Sequence, residues 1–569
     1  MQNYDQFSLV AQEVGASPIV RHFFDRLDLD KLLATYVPER KLGRRSEVSH
    51  ARAISVMVMN ALLSRSPLYA VPEWLNGHVL ENFSLKAEEA SLFNDDRIGR
   101  ALDRLYELDP ASLMTAVVAK AVREFKLDLR QIHNDSTTVT FSGAYDNQAN
   151  RDDRRRPPLI TFGHNKDHRP DLKQLVYSLT ICGDGAVPVH YKTYDGNTAD
   201  DKTHIETWSL LRGLRGRSDF VYVADSKLCS RENMDFIAGE GGSFVTVLPR
   251  TRKEHDQFRE FVQTTSLPWE EIRREENPRG KDRPEVVYSA FEPKSRTEEG
   301  YRIIWYRSSI KTELDQKRRA RKIYRARAGI RELEQRAGAH RLRSKTRAEE
   351  AVNKVLQEEG AQRWLKFEVV EQAANSFKQT GPGRPGRGTT YRRVQTPIIE
   401  IQVEDNAETI KADARCDGLF GMVSNIEGKS PLKLLDLYKY QPFLEKRNEQ
   451  LKTVLSVAPI FIKSPQRVAA LLFVYFLAIL LFALIERELR AQMKKEGVSS
   501  LPLYPEQRPC KAPTSDVIMQ AVEGMRRSQL LGRKGEVLKE FYDPMPPHVK
   551  KMLRLLGIDL RAYGAARRR

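Results

Sequence analysis

The sequence predicts an α/β protein with a helical N-terminal domain and a large insertion. Apolar residues recur at helical spacing in SPIVRHFFDRLDLDKLLATYV, VSHARAISVMVMNALLSR and DPASLMTAVVAKAVREFKL, all within residues 1–128. The period then changes to strand-like alternation in LRQIHNDSTTVTF and KQLVYSLTI, both rich in β-branched residues. Up to about residue 250 the order reads strand, strand, strand, helix, strand, helix, strand, which is the order of an α/β layer.

With 569 residues the chain is too long for a single core at ~150 residues per domain. Small disulfide scaffolds and short peptides are excluded. Lys and Arg number 94 against 76 Asp and Glu, a formal charge of +18. Such an excess suits a polyanionic partner, because cations release the counterions of a phosphate backbone; DNA, RNA and anionic lipid are not separated by charge alone. The cysteines Cys182, Cys229, Cys416 and Cys510 are scattered without a CxxC pair. That spacing gives no zinc-finger signal and fits a reducing compartment. The opening MQNYDQFSLV lacks the basic and apolar regions of an export signal, so an intracellular protein is expected.

In order along the chain, the first strand is expected in LRQIHNDSTTVTF and the second in KQLVYSLTI, with a hairpin turn at Cys182-Gly183-Asp184-Gly185. Val187, Val189 and Tyr191 make a third strand ending at Asp195-Gly196-Asn197. The helix DDKTHIETWSLLRGLRG follows, with Asp200 and Asp201 as cap acids. The apolar run 220–224 closes on Asp225, before a helix at RENMDFIAGEG and a strand at GSFVTVLP. From 251 the pattern turns polar. Residues 311–347 carry 14 Lys/Arg against 4 Asp/Glu, either as a solvated basic helix or as an arm tracking phosphates. GPGRPGRGTTYRR (381–393) is read as a flexible basic linker, its Gly383-Arg384-Pro385 hinting at a minor-groove hook. Short strands are expected at PIIEIQVED and DGLFGMVSN, and Ser430-Pro431 opens a helical region.

Residues 468–485 are 18 residues without a charge, at the lower edge of what spans a bilayer. Ser464-Pro465 supplies a cap and first turn, and charged residues follow at once, which favours a central helix surrounded by protein. The last 21 residues carry seven Lys/Arg and one Asp, a basic tail.

Three acids stand where catalysis could use them. Asp135 lies within the first strand, Asp225 caps the fourth, and Glu445 lies on a later helix. Strand-end carboxylates in open α/β sheets face the ligand crevice. Paired divalent cations held by carboxylates can activate water and steady a leaving oxygen at a phosphodiester. Separations of 90 and 220 residues do not by themselves bring the three together. Lys452 follows Glu445 by two helical turns, so both share a face, whereas Pro442 predicts a helix break that can put Tyr438 elsewhere. An exposed Glu445–Lys452 ion pair is the alternative. His164 and His168 have zinc-like spacing, but Pro170 spoils the helix, so no zinc is expected; Lys166, Arg169 and Lys173 in that loop are candidate phosphate contacts. Cys229 reads as a packed thiol, and no phosphate-binding GxxxxGK[ST] loop occurs.

Tyr438-x2-Gln441-x3-Glu445-x6-Lys452 has every interval of the Tyr-x2-Arg-x3-Glu-x6-Lys signature, with Gln441 in the arginine's place. HNDSTTVTF, VYVADSKLCS, GHNKDHRPDLKQ, Asp195-Gly196-Asn197, the SPIV…RSPLYAVPEW region and the apolar helix come in the same order. Together they resemble the DDE transposases of bacterial insertion sequences. The resemblance implies an RNase H-like catalytic core with an insertion between the second Asp and the Glu. On it the chain divides into a helical DNA-binding and assembly domain (1–128), a first core part (129–250), an insertion (251–428), a second core part (429–495) and a basic C-terminal region (496–569). It further implies that Asp135, Asp225 and Glu445 hold two Mg2+, with Mn2+ as a substitute, and that Tyr438 and Lys452 contact DNA. Gln441 is placed in the DNA-binding set, although an amide lacks a guanidinium's charge and fork.

The expected function is cutting element ends and joining their 3′-hydroxyls to target DNA. The partners are double-stranded DNA and further copies of the chain, as a homodimer or larger assembly, with no membrane; the location is a bacterial cytoplasm, at the nucleoid. A catalytically silent DNA-binding protein, a plain nuclease and a membrane-anchored basic protein with residues 468–485 exposed are the other readings.

Overall fold

The computed structural model describes residues 7–39, 47–108, 110–145, 156–164, 169–280, 282–336, 344–456 and 462–565. The chain forms two compact units, one of residues 1–246 with 435–569, the other of residues 247–434.

In the first unit five strands form a mixed sheet. Gln131–Phe141, Lys173–Cys182 and Pro188–Tyr194 are an antiparallel meander, and Val221–Ala224 and Ser243–Val247 add in parallel beside the first of them, in spatial order third, second, first, fourth, fifth. Parallel pairing needs a crossover. The helices His204–Arg215 and Arg231–Gly239 supply it, the first packing Trp208 into the core and the second Met234 and Ile237. This is the RNase H-like arrangement that the resemblance implies. The Asp195-Gly196-Asn197 motif is structural. Asp195 takes a guanidinium from Arg156 and an amide from Leu159, and a side chain at Gly196 would lie 2.1 Å from the Gln174 carbonyl oxygen. Gly163 is equally constrained, its missing Cβ falling 2.0 Å from Gly196 O, so the start of GHNKDHRPDLKQ is held against that turn.

The apolar stretch forms part of a 31-residue helix, Pro465–Lys495, capped by Ser464. By length and composition it could cross a membrane, yet its residues 468–485, all but Ala469, are buried within the unit. It packs on helices His50–Leu63 and Asp95–Glu107 of the N-terminal region, where Arg467 clasps Asp103 with two 2.7 Å bonds. The N-terminal region is not wholly helical. Strand Ser8–Glu13 pairs antiparallel with Arg526–Leu531, which pairs with Val537–Tyr542, so the two ends of the chain share a small sheet. Sequence periodicity did not reveal it because only these distant partners complete it.

In the second unit strands Leu419–Ser424, Arg302–Ser308, Val286–Phe291 and Glu270–Glu275 form an antiparallel run in that spatial order. Of the basic stretch 311–347, residues 311–336 and 345–347 fall on two helices, Ser309–Arg336 and Lys345–Glu359. They pack together through Ala326, Ile330, Ala348, Val352 and Leu356. Several of its cations are paired, among them Arg319 with Asp417 at 2.7 and 2.8 Å. The 381–393 segment corrects the linker expectation: it is the tip of a two-stranded ribbon of Leu365–Gln379 and Tyr391–Asp405, in register over fifteen residue pairs.

Candidate active site

Asn134 is the register partner of Ala224 on the adjacent parallel strand. The next residues are Asp135 and Asp225, so two carboxylates emerge side by side from neighbouring strands. Asp225 is fixed twice. Its Oδ1 accepts the Lys227 amide at 3.0 Å as the cap of a short turn, and its carbonyl accepts the Thr246 hydroxyl at 2.6 Å.

The signature stretch breaks where Pro442 predicted. One helix, Pro431–Tyr438, ends at the tyrosine, and the next, Gln441–Ser456, carries Glu445 and Lys452 on one face. Asn448, one turn beyond Glu445, donates to Asp135 Oδ2 at 3.3 Å. Glu445 is exposed, and Lys452 is half-buried. Burial first, then the negative charges of Asp225, Glu445 and Asp135, push the Tyr438 phenol up to about 12. All three acids therefore act on one ring, though they start on three different elements.

Gln441 does not sit where a DNA contact would need it. It is 6% exposed and belongs to an internal chain of hydrogen bonds. Gln131 Nε2 lies 2.7 Å from His133 Nε2, His133 Nδ1 lies 2.9 Å from Gln441 Oε1, and Gln441 Nε2 donates to Asn134 O. A neutral imidazole with its proton on Nδ1 satisfies each link; the amide supplies the acceptor that an arginine lacks. Gln131 also donates to Leu437 O, so the network ties both signature helices to the Asp135 strand.

Burial pushes the His133 imidazole down to about 4. An unfolded histidine titrates near 6.5, so between pH 6.5 and 4 the unfolded chain takes up a proton that folded His133 refuses, and stability falls as pH drops through that window. The loss is bounded at about 3 kcal/mol. Urea unfolding of His133→Gln should depend less on pH there than wild type, with buried His190, also near 4, retaining part of the slope. Equal slopes for the two proteins would rule the assignment out.

Arg447 anchors the same helix from its other side. Its guanidinium donates to Ala186 O at 3.1 Å and to Gly185 O, and binds Glu486 of the apolar helix at 2.7 Å. His133, Arg447 and Asn448 were missed from sequence. Asn448 and Arg447 lie within one turn of Glu445, and His133 lies two residues before Asp135, on the same strand face.

The loop candidates are less central. Arg169 is paired with Asp171, Lys173 donates to the Ala144 and Tyr145 carbonyls, and Lys166 and His168 lie outside the described residues. Cys229 is buried, as expected of a packed thiol.

Among the described residues no three His, Cys, Asp or Glu already form a metal cluster. The donor chemistry of Asp135, Asp225 and Glu445 still fits a hard divalent cation, since all three offer carboxylate oxygens.

Residues 9–119 match a domain of unknown function (DUF4277), and residues 128–356 match the family described as Transposase DDE domain. No curated protein matches the chain. A cryo-EM structure of piggyBac transposase synaptic complex with hairpin DNA aligns over 49% of this chain and 58% of that one, at 12% identity and a TM-score of 0.27, too weak a likeness to support an argument. The match over 128–356 takes in both Asp135 and Asp225, so this stretch of the chain is similar to the family described as Transposase DDE domain.

Proposed function

We propose that this protein is the transposase of an insertion sequence, cutting the ends of its element and joining the resulting 3′-hydroxyls to target DNA. The observation that carries the reading is the side-by-side exit of Asp135 and Asp225, with Glu445 near enough for all three charges to act on Tyr438. These acids would hold two Mg2+, which when bound activate the attacking oxygen and steady the leaving one.

In cleavage a water oxygen displaces the 3′-oxygen at phosphorus, leaving a 3′-hydroxyl and a 5′-phosphate; in joining, that hydroxyl displaces a 3′-oxygen of the target strand. The chain's residues position these steps. Asn448 holds Asp135 by its Oδ2, and the Lys227 amide and Thr246 hydroxyl hold Asp225. Tyr438, kept protonated at neutral pH, offers a ring and a hydroxyl donor to the strand near the cut. Lys452 brings a cation to the Glu445 face, where a DNA phosphate would lie. The N-terminal domain would bind the element ends, with two or more copies on paired ends. A silent DNA-binding protein gains nothing from Gln441, because that amide completes an internal network.

The test is a labelled element-end duplex with magnesium, wild type against Asp225→Ala. Wild type should give nicked and joined products, and the variant neither while still binding the duplex. Binding without cleavage by the wild type in magnesium or manganese would favour the silent protein, and nicking without joining would favour a nuclease.

A further inference from the structure

The ribbon of Leu365–Gln379 and Tyr391–Asp405 is packed only at its base. Leu365, Val369, Ile399 and Ile401 lie in the cluster built with the two basic helices, while from residue 371 to 398 the described side chains are exposed or half-buried on both faces. A two-stranded ribbon without a packed face is marginal in water. Its sequence adds to that cost. Lys378 stands directly opposite Arg392 in the register, and like charges so placed repel. Between Glu371 and Glu400 there are five Lys or Arg and no Asp or Glu. The neighbouring pairs put Phe377, Tyr391 and Arg393 on the other face, with Phe377 68% and Tyr391 52% exposed.

The tip is ordered and slim. Thr380 N donates to Thr390 O at 2.9 Å, Gly386 N to the Thr389 hydroxyl at 2.8 Å, and Gln379 Nε2 to Gly383 O at 3.0 Å. Around Gly381, Gly383, Gly386 and Gly388 nothing lies within 4 Å of where a Cβ would stand. Arg384 and Arg387 therefore project from a tip with little bulk beside them.

We propose that this ribbon is a DNA-gripping arm: Lys378 and Arg392 straddle a phosphate, and Arg384 and Arg387 enter the minor groove of the same duplex. The proposal rests on the reading of the chain as a DNA-processing enzyme and adds a contact separate from the acids. A polyanion turns the Lys378–Arg392 repulsion into attraction and supplies the partner that the ribbon's exposed faces lack. The minor groove, about 6 Å wide, admits arginines flanked by glycine and proline, and its potential is deepest in A-tracts.

The experiment is duplex binding by the full chain, followed by anisotropy across a salt series, on A-tract and G·C-rich duplexes. Lys378→Ala/Arg392→Ala should lower the slope of log K against log salt by about 0.9, the value for one neutralised phosphate. Arg384→Ala/Arg387→Ala should weaken binding roughly tenfold and abolish A-tract preference, whereas Arg384→Lys/Arg387→Lys should restore charge but not preference. Far-UV circular dichroism on each variant separates lost contacts from lost folding. Wild-type slope and preference in both alanine variants would overturn the arm while leaving the cleavage reading intact. Equal affinity of wild type for duplex RNA would overturn the minor-groove assignment, and no duplex binding by wild type would overturn arm and enzyme reading together.

Discussion

Glu445→Gln is expected to leave the chain folded and able to bind duplex DNA while lowering magnesium-dependent cleavage by about a thousandfold or more. At ~1.4 kcal/mol per decade that is about 4 kcal/mol of transition-state stabilisation. The side chain is exposed, so changing it should move stability by no more than about 0.5 kcal/mol. What it loses is charge: an amide of the same shape offers one neutral acceptor where the carboxylate offered two charged oxygens. Glu445 lies outside the matched residues 128–356, so its place in the site rests on geometry, on the helix whose Asn448 touches Asp135 and on the charge that it adds at Tyr438. Cleavage and binding measured on one preparation decide the matter, and a variant retaining more than a tenth of wild-type cleavage would remove Glu445 from the site.

The core strands were legible in the sequence because each carries its own period. The residues 175–181 alternate in sequence although both faces of the strand are buried, because Ser178 and Thr180 are there to accept the Asn134 amide, and the run before Asp225 is apolar throughout because it lies inside the sheet. Pro442 announced the helix break for a local reason, its missing amide proton. What stayed hidden depended on partners far away in the chain. Strand Ser8–Glu13 needs Arg526–Leu531 before it is a strand at all. The glycine- and proline-rich 381–393 segment reads as a linker because it has no core of its own; fifteen backbone pairs and a base buried on two helices make it a hairpin tip.

The site divides in the same way. Asp135, Asp225 and Glu445 stood out as acids at strand ends and on a helix face, but the side-by-side exit of the first two is a product of the parallel register, and Asn448 and Gln441 tie the Glu445 helix to the Asp135 strand. Gln441 shows the limit most plainly. By spacing it takes the place of an arginine and so invites a role toward DNA, whereas its environment is a buried imidazole that needs an acceptor. The spacing located the residue, and only the neighbour 308 positions away revealed what it does.

Arg447→Met should destabilise the protein by about 3 kcal/mol, the lower end of what removing one partner of a buried ion pair costs. Arg447 and Glu486 are 5% and 4% exposed, and their atoms meet at 2.7 Å. Burial favours the neutral acid, yet Arg447, the Ser515 amide and Arg490 together hold the Glu486 carboxyl below its ordinary range. The methionine leaves that charge with only Ser515 N at 2.8 Å and Arg490 at 3.6 Å, a partial compensation that argues against the full 5 kcal/mol. Urea unfolding of Arg447→Met, Glu486→Gln and the pair together measures the coupling, and the double variant should recover part of the loss because no buried charge is then stranded. The same substitution frees the Gly185 and Ala186 carbonyls from the Glu445 helix, so cleavage should fall even at temperatures where the protein stays folded. A loss below 1 kcal/mol with unchanged cleavage would mean that the helix is held by its His133–Gln441 side alone.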